Sequence, residues 1–277
     1  MKNTLLFLIT LAMIASCNSK PKGYTITGTL TGEVADGTNV YLKKINENNQ
    51  PVAIDTAKID MGKFVFTGKS DLPEMHYIFV DQLLGYTAVI LENGQIELSA
   101  QKDSLGLAKI HGTDQNDIFA NYMEKSQEIS KRAMNIQNDM KNASMRNDTV
   151  SINSLRDELT ELQDEYYLFE MDYIKTHPTA LISVLLIDRA LSTRNAKIDE
   201  LQELYDGLSP EVKETSAAKK VIKMFDSRKV NEEKAKNTNI GATAPNFSAP
   251  TPAGPELALN DVLGKVTLVD FWAAWCR

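Results

Sequence analysis

Between Tyr24 and about Gly112 the chain alternates apolar and polar positions with a period of two. That is the pattern of a strand with one face buried. Seven runs carry it: YTITGTL, TNVYLKK, VAIDTAKI, KFVFTGK, MHYIFV, YTAVIL and QIELSA. Turn chemistry separates them at Asp36-Gly37, Asn48-Asn49, Met61-Gly62 and Asn93-Gly94. Asn-Gly between two strand-like runs is the strongest short hairpin signal among these. Short strands at this spacing predict an antiparallel sandwich or a barrel-like sheet.

The period then changes. Phe119, Tyr122, Ser126, Ile129, Ala133, Ile136 and Met140 follow a 3-4 spacing, and so do Ile152, Leu155, Leu159, Leu162, Tyr166, Phe169 and Tyr173. These are two a/d seams of about three heptads each. The polar, cap-rich stretch KNASMRNDT lies between them. An antiparallel helical hairpin packed along both seams is the simplest structure, and a dimer zipper is the alternative. After His177-Pro178, TALISVLLIDRAL is apolar around most of its circumference, so it reads as a buried core helix. NAKIDELQELYDGL is a further amphipathic helix. SPEVKETSAAKKVIKMFDSRKV opens a last one, with Ser209 as N-cap and Pro210 in the first turn. The charged NEEKAKNTN is a linker.

Composition narrows the function classes. The 277 residues carry a net charge of −7, which excludes a basic footprint for nucleic acid. His76, His111 and His177 are scattered, with no partners at metal-ligand spacing, so no metal and no cofactor is implied. The two cysteines, Cys17 and Cys276, make no disulfide framework.

At the N-terminus, Lys2 precedes the apolar run LLFLITLAMI (Leu5 to Ile14), too short for a mature membrane span. It reads as an export signal. Ile14-Ala15-Ser16-Cys17 resembles the bacterial lipobox, which implies cleavage before Cys17, lipidation of that cysteine and a tether NSKPKG behind it. A lipidated Cys17 is no disulfide partner for Cys276. The expected place is the bacterial cell envelope, with the body facing periplasm or exterior and held on the membrane through Cys17.

Two further stretches carry resemblances. The opening Gly28-Thr29-Leu30-Thr31-Gly32, IDTAKIDMGKFVFTGK, LENGQIEL and IHGTDQND together resemble a domain of unknown function. It is found at the N-terminus of envelope lipoproteins that end in a thioredoxin-like domain. From Ile240 the chain resembles the opening of a thioredoxin-like domain of the TlpA/ResA type, related to the AhpC/TSA group. Gly241, Ala244-Pro245, Phe247, Leu259, Asp261, Gly264-Lys265 and the run from Val269 to Cys276 carry the likeness. VTLVDF is nearly continuous in apolar residues, as a central strand covered on both faces would be.

The resemblance implies that Cys276 is the attacking thiol at the start of a helix, where free N–H groups and the helix dipole favour a thiolate. It implies Trp275 as the neighbour that shields the sulfur and offers a docking surface. Asp270 becomes a buried acid with a raised pKa that relays a proton. Peroxidase chemistry is the rival, but it sets a threonine three residues before the cysteine, where this chain has Ala273. A Cys-x-x-Cys motif would place its second cysteine two residues beyond Arg277. The expectation is therefore a longer protein, by about a hundred residues, the scale of a domain.

The sequence thus predicts a multi-domain protein. It has a signal peptide over 1–16, a tether over 17–23, an antiparallel β sandwich over 24–112, an all-α helical region over 113–236, and the start of an α/β thioredoxin-like domain over 237–277. The predicted activity is a membrane-anchored thiol–disulfide oxidoreductase, silent as a dithiol enzyme in these 277 residues. Its partners would be envelope proteins with disulfides or thiols and a membrane or periplasmic electron donor. The alternative is a non-catalytic, lipid-anchored binding or scaffold protein.

Overall fold

The computed structural model describes residues 21–46, 48–193, 195–236, 240–273 and 275, with backbone alone over 232–236. Those residues fall into two compact units, divided between Lys223 and Met224.

The first unit opens with eight strands: β1 (Tyr24–Thr31), β2 (Asn39–Ile45), β3 (Pro51–Lys58), β4 (Lys63–Gly68), β5 (Glu74–Val80), β6 (Thr87–Leu91), β7 (Gly94–Gln101) and β8 (Lys109–His111). They form two four-stranded sheets, ordered β4-β1-β7-β8 and β3-β2-β5-β6. Alternate residues of both sheets turn inward to one core that includes Ile26, Leu42, Phe66, Ile78, Val89 and Ile96. All seven alternating runs are strands. At the four turns marked in the sequence, Gly37, Asn49, Met61, Gly62 and Gly94 are left-handed, and Gln82 and Gly85 are left-handed in the unmarked β5–β6 connection.

Two features depart from the expectation. The sandwich is not wholly antiparallel: β1 and β7 pair in parallel at the centre of their sheet, Tyr24 opposite Gly94 through Thr31 opposite Gln101. Alternation reports which residues face inward but not which strand lies alongside. β8, three residues opposite Glu97 to Ser99 of β7, is too short to show a period. Gly28 of β1 is held to glycine by packing, because a Cβ there would lie 2.0 Å from the ring of Phe64, its register partner.

The helices are α1 (Asp114–Met145), α2 (Thr149–Thr176), α3 (Leu181–Leu191), α4 (Ile198–Asp206), α5 (Pro210–Lys213) and α6 (Ser216–Lys236). The two heptad seams face each other within the chain, burying Ile129, Ile136 and Leu162, flanked by Leu155, Leu159 and Phe169. The hairpin is therefore intrachain. Its turn is short: Asn147 is left-handed, and Asp148 caps α2 by accepting from the Ser151 N–H at 3.1 Å. α3 is buried nearly all round, with Leu181, Ile182, Val184, Leu186, Ile187 and Leu191 in the core.

Ser209 caps α5 with Pro210 in the first turn, as expected. The single helix expected from there is split. Buried Thr215 donates to the Val212 carbonyl at 2.6 Å and accepts from the Ala218 N–H at 3.3 Å, so α6 starts afresh behind it.

Sandwich and helices are joined by the polar residues of IHGTDQND. Asn116, fully buried, pairs with the backbone of Ile90 on the outer edge of β6. Gln115 donates from Nε2 to the Thr179 carbonyl at 2.9 Å and accepts at Oε1 from the Leu181 N–H at 2.7 Å. Asp117 accepts from the Gly112 N–H at 3.0 Å. Sheet edges and helix ends have unpaired backbone groups, and these three side chains satisfy them. Gly112 itself is left-handed at φ 104°, and a Cβ there would lie 2.5 Å from the Gln95 carbonyl oxygen. The change from strand to helix near residue 112 is thus a change of secondary structure inside one compact unit.

In the second unit β9 (Ser248–Pro250) and β10 (Glu256–Ala258) form a two-stranded antiparallel ladder. A tight turn over Leu259–Asp261 follows, with Leu259 buried. The segment from Val266 to Phe271, expected as a central strand, pairs with no strand among the described residues. Val266 and Leu268 are each 92% exposed. A strand covered on both faces needs a layer on each side, and no such layer exists over this run among the described residues. The described residues do not show the α/β thioredoxin-like arrangement.

Candidate functional site

Of the residues assigned chemistry from sequence, Cys17 and Cys276 lie outside the described residues. Trp275 is 86% exposed. Asp270 is exposed as well, so the buried setting expected for its carboxyl is absent, and the extended segment around it offers no covering layer. Phe271 meets the Phe247 ring at 5.9 Å, which is the one aromatic contact of this run among the described residues. Trp272 is 72% exposed. The predicted redox residues are thus adjacent in sequence, but the described part of the second unit builds no pocket around them.

The strongest polar constellation lies instead where α1, α2 and α3 meet. Glu170 of α2 is 7% exposed and forms an ion pair with Arg189 of α3. Tyr122 of α1 donates to Glu170 Oε1 at 2.8 Å. Its own oxygen lies 2.8 Å from the Tyr166 hydroxyl and accepts from Arg189 Nη2 at 3.2 Å. Ser126 reaches Tyr166 at 3.0 Å. The Arg189 guanidinium also lies over the Tyr166 ring, 5.6 Å from its centroid.

The environments of Tyr122 and Tyr166 shift the two phenols in opposite directions. Burial, aided by the hydrogen bond to Tyr166, pushes Tyr122 up to about 12. Burial also acts to raise Tyr166, but hydrogen bonds with Ser126, Tyr122 and Arg189 outweigh it and bring Tyr166 below its ordinary value. In the neutral pair Tyr166 donates to Tyr122 and Tyr122 donates to Glu170. Loss of the Tyr166 proton lets the Tyr122 proton turn toward the phenolate. The arrangement can hold three helices together and can move a proton over a few ångströms.

The heptad reading found Tyr122 and Tyr166 as seam positions but gave them only packing roles. A signal was present: phenols on both facing seams, Glu170 one turn after Tyr166, and Arg189 inside a mostly apolar helix. Buried charges need partners, and these four side chains supply them to one another. Among the described residues no group of His, Cys, Asp or Glu could hold a metal ion. No helix among them is long and apolar enough to cross a membrane.

Comparison with known proteins adds two likenesses. Residues 24–119 match a family described as a domain of unknown function, DUF4369. That span takes in the eight strands and the residues of α1 that latch onto β6 and α3. The thioredoxin-like protein YneN of Bacillus subtilis (strain 168) is 46% identical over 37 residues, 13% of this chain and 22% of that protein. The chain thus spans about a fifth of the length of that curated relative. No solved structure matches. The chain is a mixed α/β protein in which two N-terminal sheets are followed by a helical region, with a segment similar to DUF4369 and a short stretch that points to a thioredoxin-like relation.

Proposed function

We propose that this chain belongs to a membrane-anchored, extracytoplasmic thiol–disulfide oxidoreductase of the TlpA/ResA type. The observation that carries the reading is the 46% identity to a thioredoxin-like protein over 37 residues. We take those residues to be the stretch from about Ile240 that ends in Trp275-Cys276.

In this reading the Cys276 thiolate attacks one sulfur of a disulfide in an envelope protein. The substrate S–S bond breaks, a mixed disulfide with Cys276 forms, and the other substrate sulfur leaves as a thiolate that takes up a proton. A second thiol of a Cys-x-x-Cys motif then attacks the Cys276 sulfur and releases the reduced substrate. The protein is left as a disulfide, and an electron donor at the membrane or in the periplasm returns two electrons. Trp275 and Trp272 supply flat apolar surfaces beside the sulfur for substrate to rest on. Lipid on Cys17 keeps the body at the membrane where that donor and those substrates meet. The sandwich and helices serve as the support that carries the redox segment.

The test is trapping of the mixed disulfide. Protein with Cys276 intact, incubated with a disulfide-bonded peptide, gains one peptide by intact mass faster than free cysteine does at the same pH. Cys276→Ser gains none. Reaction no faster than free cysteine, or an adduct that survives the substitution, overturns the assignment. The 277-residue chain, whose cysteines are Cys17 and Cys276, is expected to give this half-reaction with little turnover. Robust multiple turnover in insulin reduction by that chain contradicts the resolving step.

A further inference from the structure

The outer face of the sheet β3-β2-β5-β6 carries a cluster of aromatic rings. Val40, Leu42, Ile78 and Val80 of its two central strands turn into the sandwich core. Tyr41 and Lys43 of β2, and Tyr77 and Phe79 of β5, alternate with them and stand on the opposite face. The register sets Tyr41 opposite Phe79 and Lys43 opposite Tyr77. Tyr86, just before β6, completes the group. Its ring lies 5.2 Å from that of Tyr77, edge to face, and 5.3 Å from that of Phe79. On the flanking strands the register partners are small: Thr56 beside Tyr41, Ala53 beside Lys43 and Ala88 beside Tyr77. The rings therefore stand above their neighbours, with Tyr86 48% exposed and the others half-buried.

The polar groups of this face lack protein partners. Lys43 Nζ lies 4.5 Å from the ring centroid of Phe79 and 5.3 Å from that of Tyr41. Ring faces attract an ammonium but do not neutralise it. Among the described residues no carboxylate pairs with Lys43, and none of the hydroxyls of Tyr41, Tyr77 and Tyr86 is hydrogen-bonded to protein. The face thus offers apolar ring surfaces, three phenols that both donate and accept, and one half-buried cation without a counter-ion. A chain of hydroxyl-rich sugar rings bearing carboxylates answers all three. A neutral saccharide leaves the ammonium unpaired. A proline-rich peptide, which also docks on aromatic surfaces, leaves it unpaired as well.

We propose that this face binds an acidic saccharide, a chain that contains uronic acids, with sugar rings against the aromatic side chains and a carboxylate on Lys43. The whole protein carries a net charge of −7, so its general field repels such a polymer. Retention of a polyanion therefore reports a local site and not bulk attraction. The proposal stands independently of the redox reading, because it uses only residues of the sandwich.

The experiment is affinity electrophoresis of the full chain through native gels that hold polygalacturonate, alginate, hyaluronan or, as the neutral polymer, dextran. Retardation is expected from at least one acidic polymer and not from dextran, and added salt should weaken it. Tyr86→Ser, at the most exposed ring, should weaken that binding about tenfold. Lys43→Met, which keeps an apolar stem over the rings, should abolish the preference for acidic over neutral polymer. Lys44→Met removes the same charge from the next position of β2, which is exposed and opposite Val52, and should leave the preference intact. Far-ultraviolet circular dichroism checks that each variant is folded, and Lys43→Gln serves if Lys43→Met is not. No retardation by any of the three acidic polymers, equal retardation by dextran, or equal losses from the two lysine variants overturns the proposal. Tighter binding of a proline-rich peptide by calorimetry overturns the saccharide as the occupant.

Discussion

The side-chain amide of Asn116 pairs with both backbone groups of Ile90, accepting from its N–H at 3.0 Å and donating to its carbonyl at 2.7 Å. A helix residue thereby acts as one more strand position on the edge of β6. The same amide reaches Thr113 Oγ1 at 2.8 Å. Exposed edges are hazards that proteins cover, and here the cover is a single side chain at the start of α1. Asn116→Leu should leave the Ile90 N–H and carbonyl buried without partners and cost about 3 kcal/mol in urea unfolding. Asn116→Asp, which keeps the acceptor and loses the donor, should also destabilise. A loss under about 0.5 kcal/mol for Asn116→Leu contradicts the latch.

The Glu170–Arg189 pair is asymmetric in burial. The Glu170 side chain is 9% exposed and that of Arg189 is 50% exposed. Arg189→Met leaves a carboxylate buried beside Tyr122 alone, so it should cost about 3 kcal/mol. Glu170→Gln leaves a guanidinium that water can reach, and the cost should be roughly 1 kcal/mol. The order of the two losses, measured by chemical unfolding, is the check, and equal losses would argue against buried charge as the cause.

Tyrosine absorbance followed from pH 8 to 13 reports the two phenols. One ionisation is expected below the ordinary tyrosine value of 10.0, from Tyr166, and the Tyr122 ionisation near 12. Tyr166→Phe should abolish the early step. Persistence of that step in the variant assigns it to another tyrosine.

His76 of β5 is 3% exposed, and its Nδ1–H donates to the Glu74 carbonyl at 3.1 Å. Burial lowers its pKa, against the raising effect of that hydrogen bond. The folded state then holds the proton less tightly than the unfolded chain does. Stability from this group is present above about pH 6.5 and is lost as pH falls, by at most about 1.4 kcal/mol per pH unit. His76→Asn, which keeps an N–H for Glu74 and does not titrate, should flatten stability against pH below that point. An unchanged slope in the variant assigns the acid sensitivity to other groups.

Cys17→Ala should remove the acyl mass and move the protein from the membrane fraction to the soluble fraction, since acyl chains supply the affinity. Unchanged fractionation with no mass difference counts against lipidation at this residue.

Much of the fold was legible before any coordinate. Period-two runs mark the seven long strands because one-sided burial repeats every second residue. Heptad seams mark the helical hairpin because apolar residues at a and d have to meet a partner. The candidate redox residues were legible as a motif only. Sequence places Asp270, Trp275 and Cys276 close together, but burial of the Asp270 carboxyl depends on layers that are absent over Val266 to Phe271 among the described residues. Of the Tyr122–Tyr166–Glu170–Arg189 cluster only the two tyrosines were read, as seam positions, because its members come from three helices.

What the sequence determined by itself is local: where strands alternate, where turns go left-handed, where helices start, and which short stretch resembles redox proteins. These follow from backbone sterics and from the period of burial along one segment. The tertiary structure alone decided that β1 lies parallel to β7, that Asn116 closes the edge of β6, and that Glu170 finds Arg189. Each of these depends on which distant segment becomes a neighbour. That choice is made by core packing and by the need to pair every buried polar group, and no single stretch of sequence carries it.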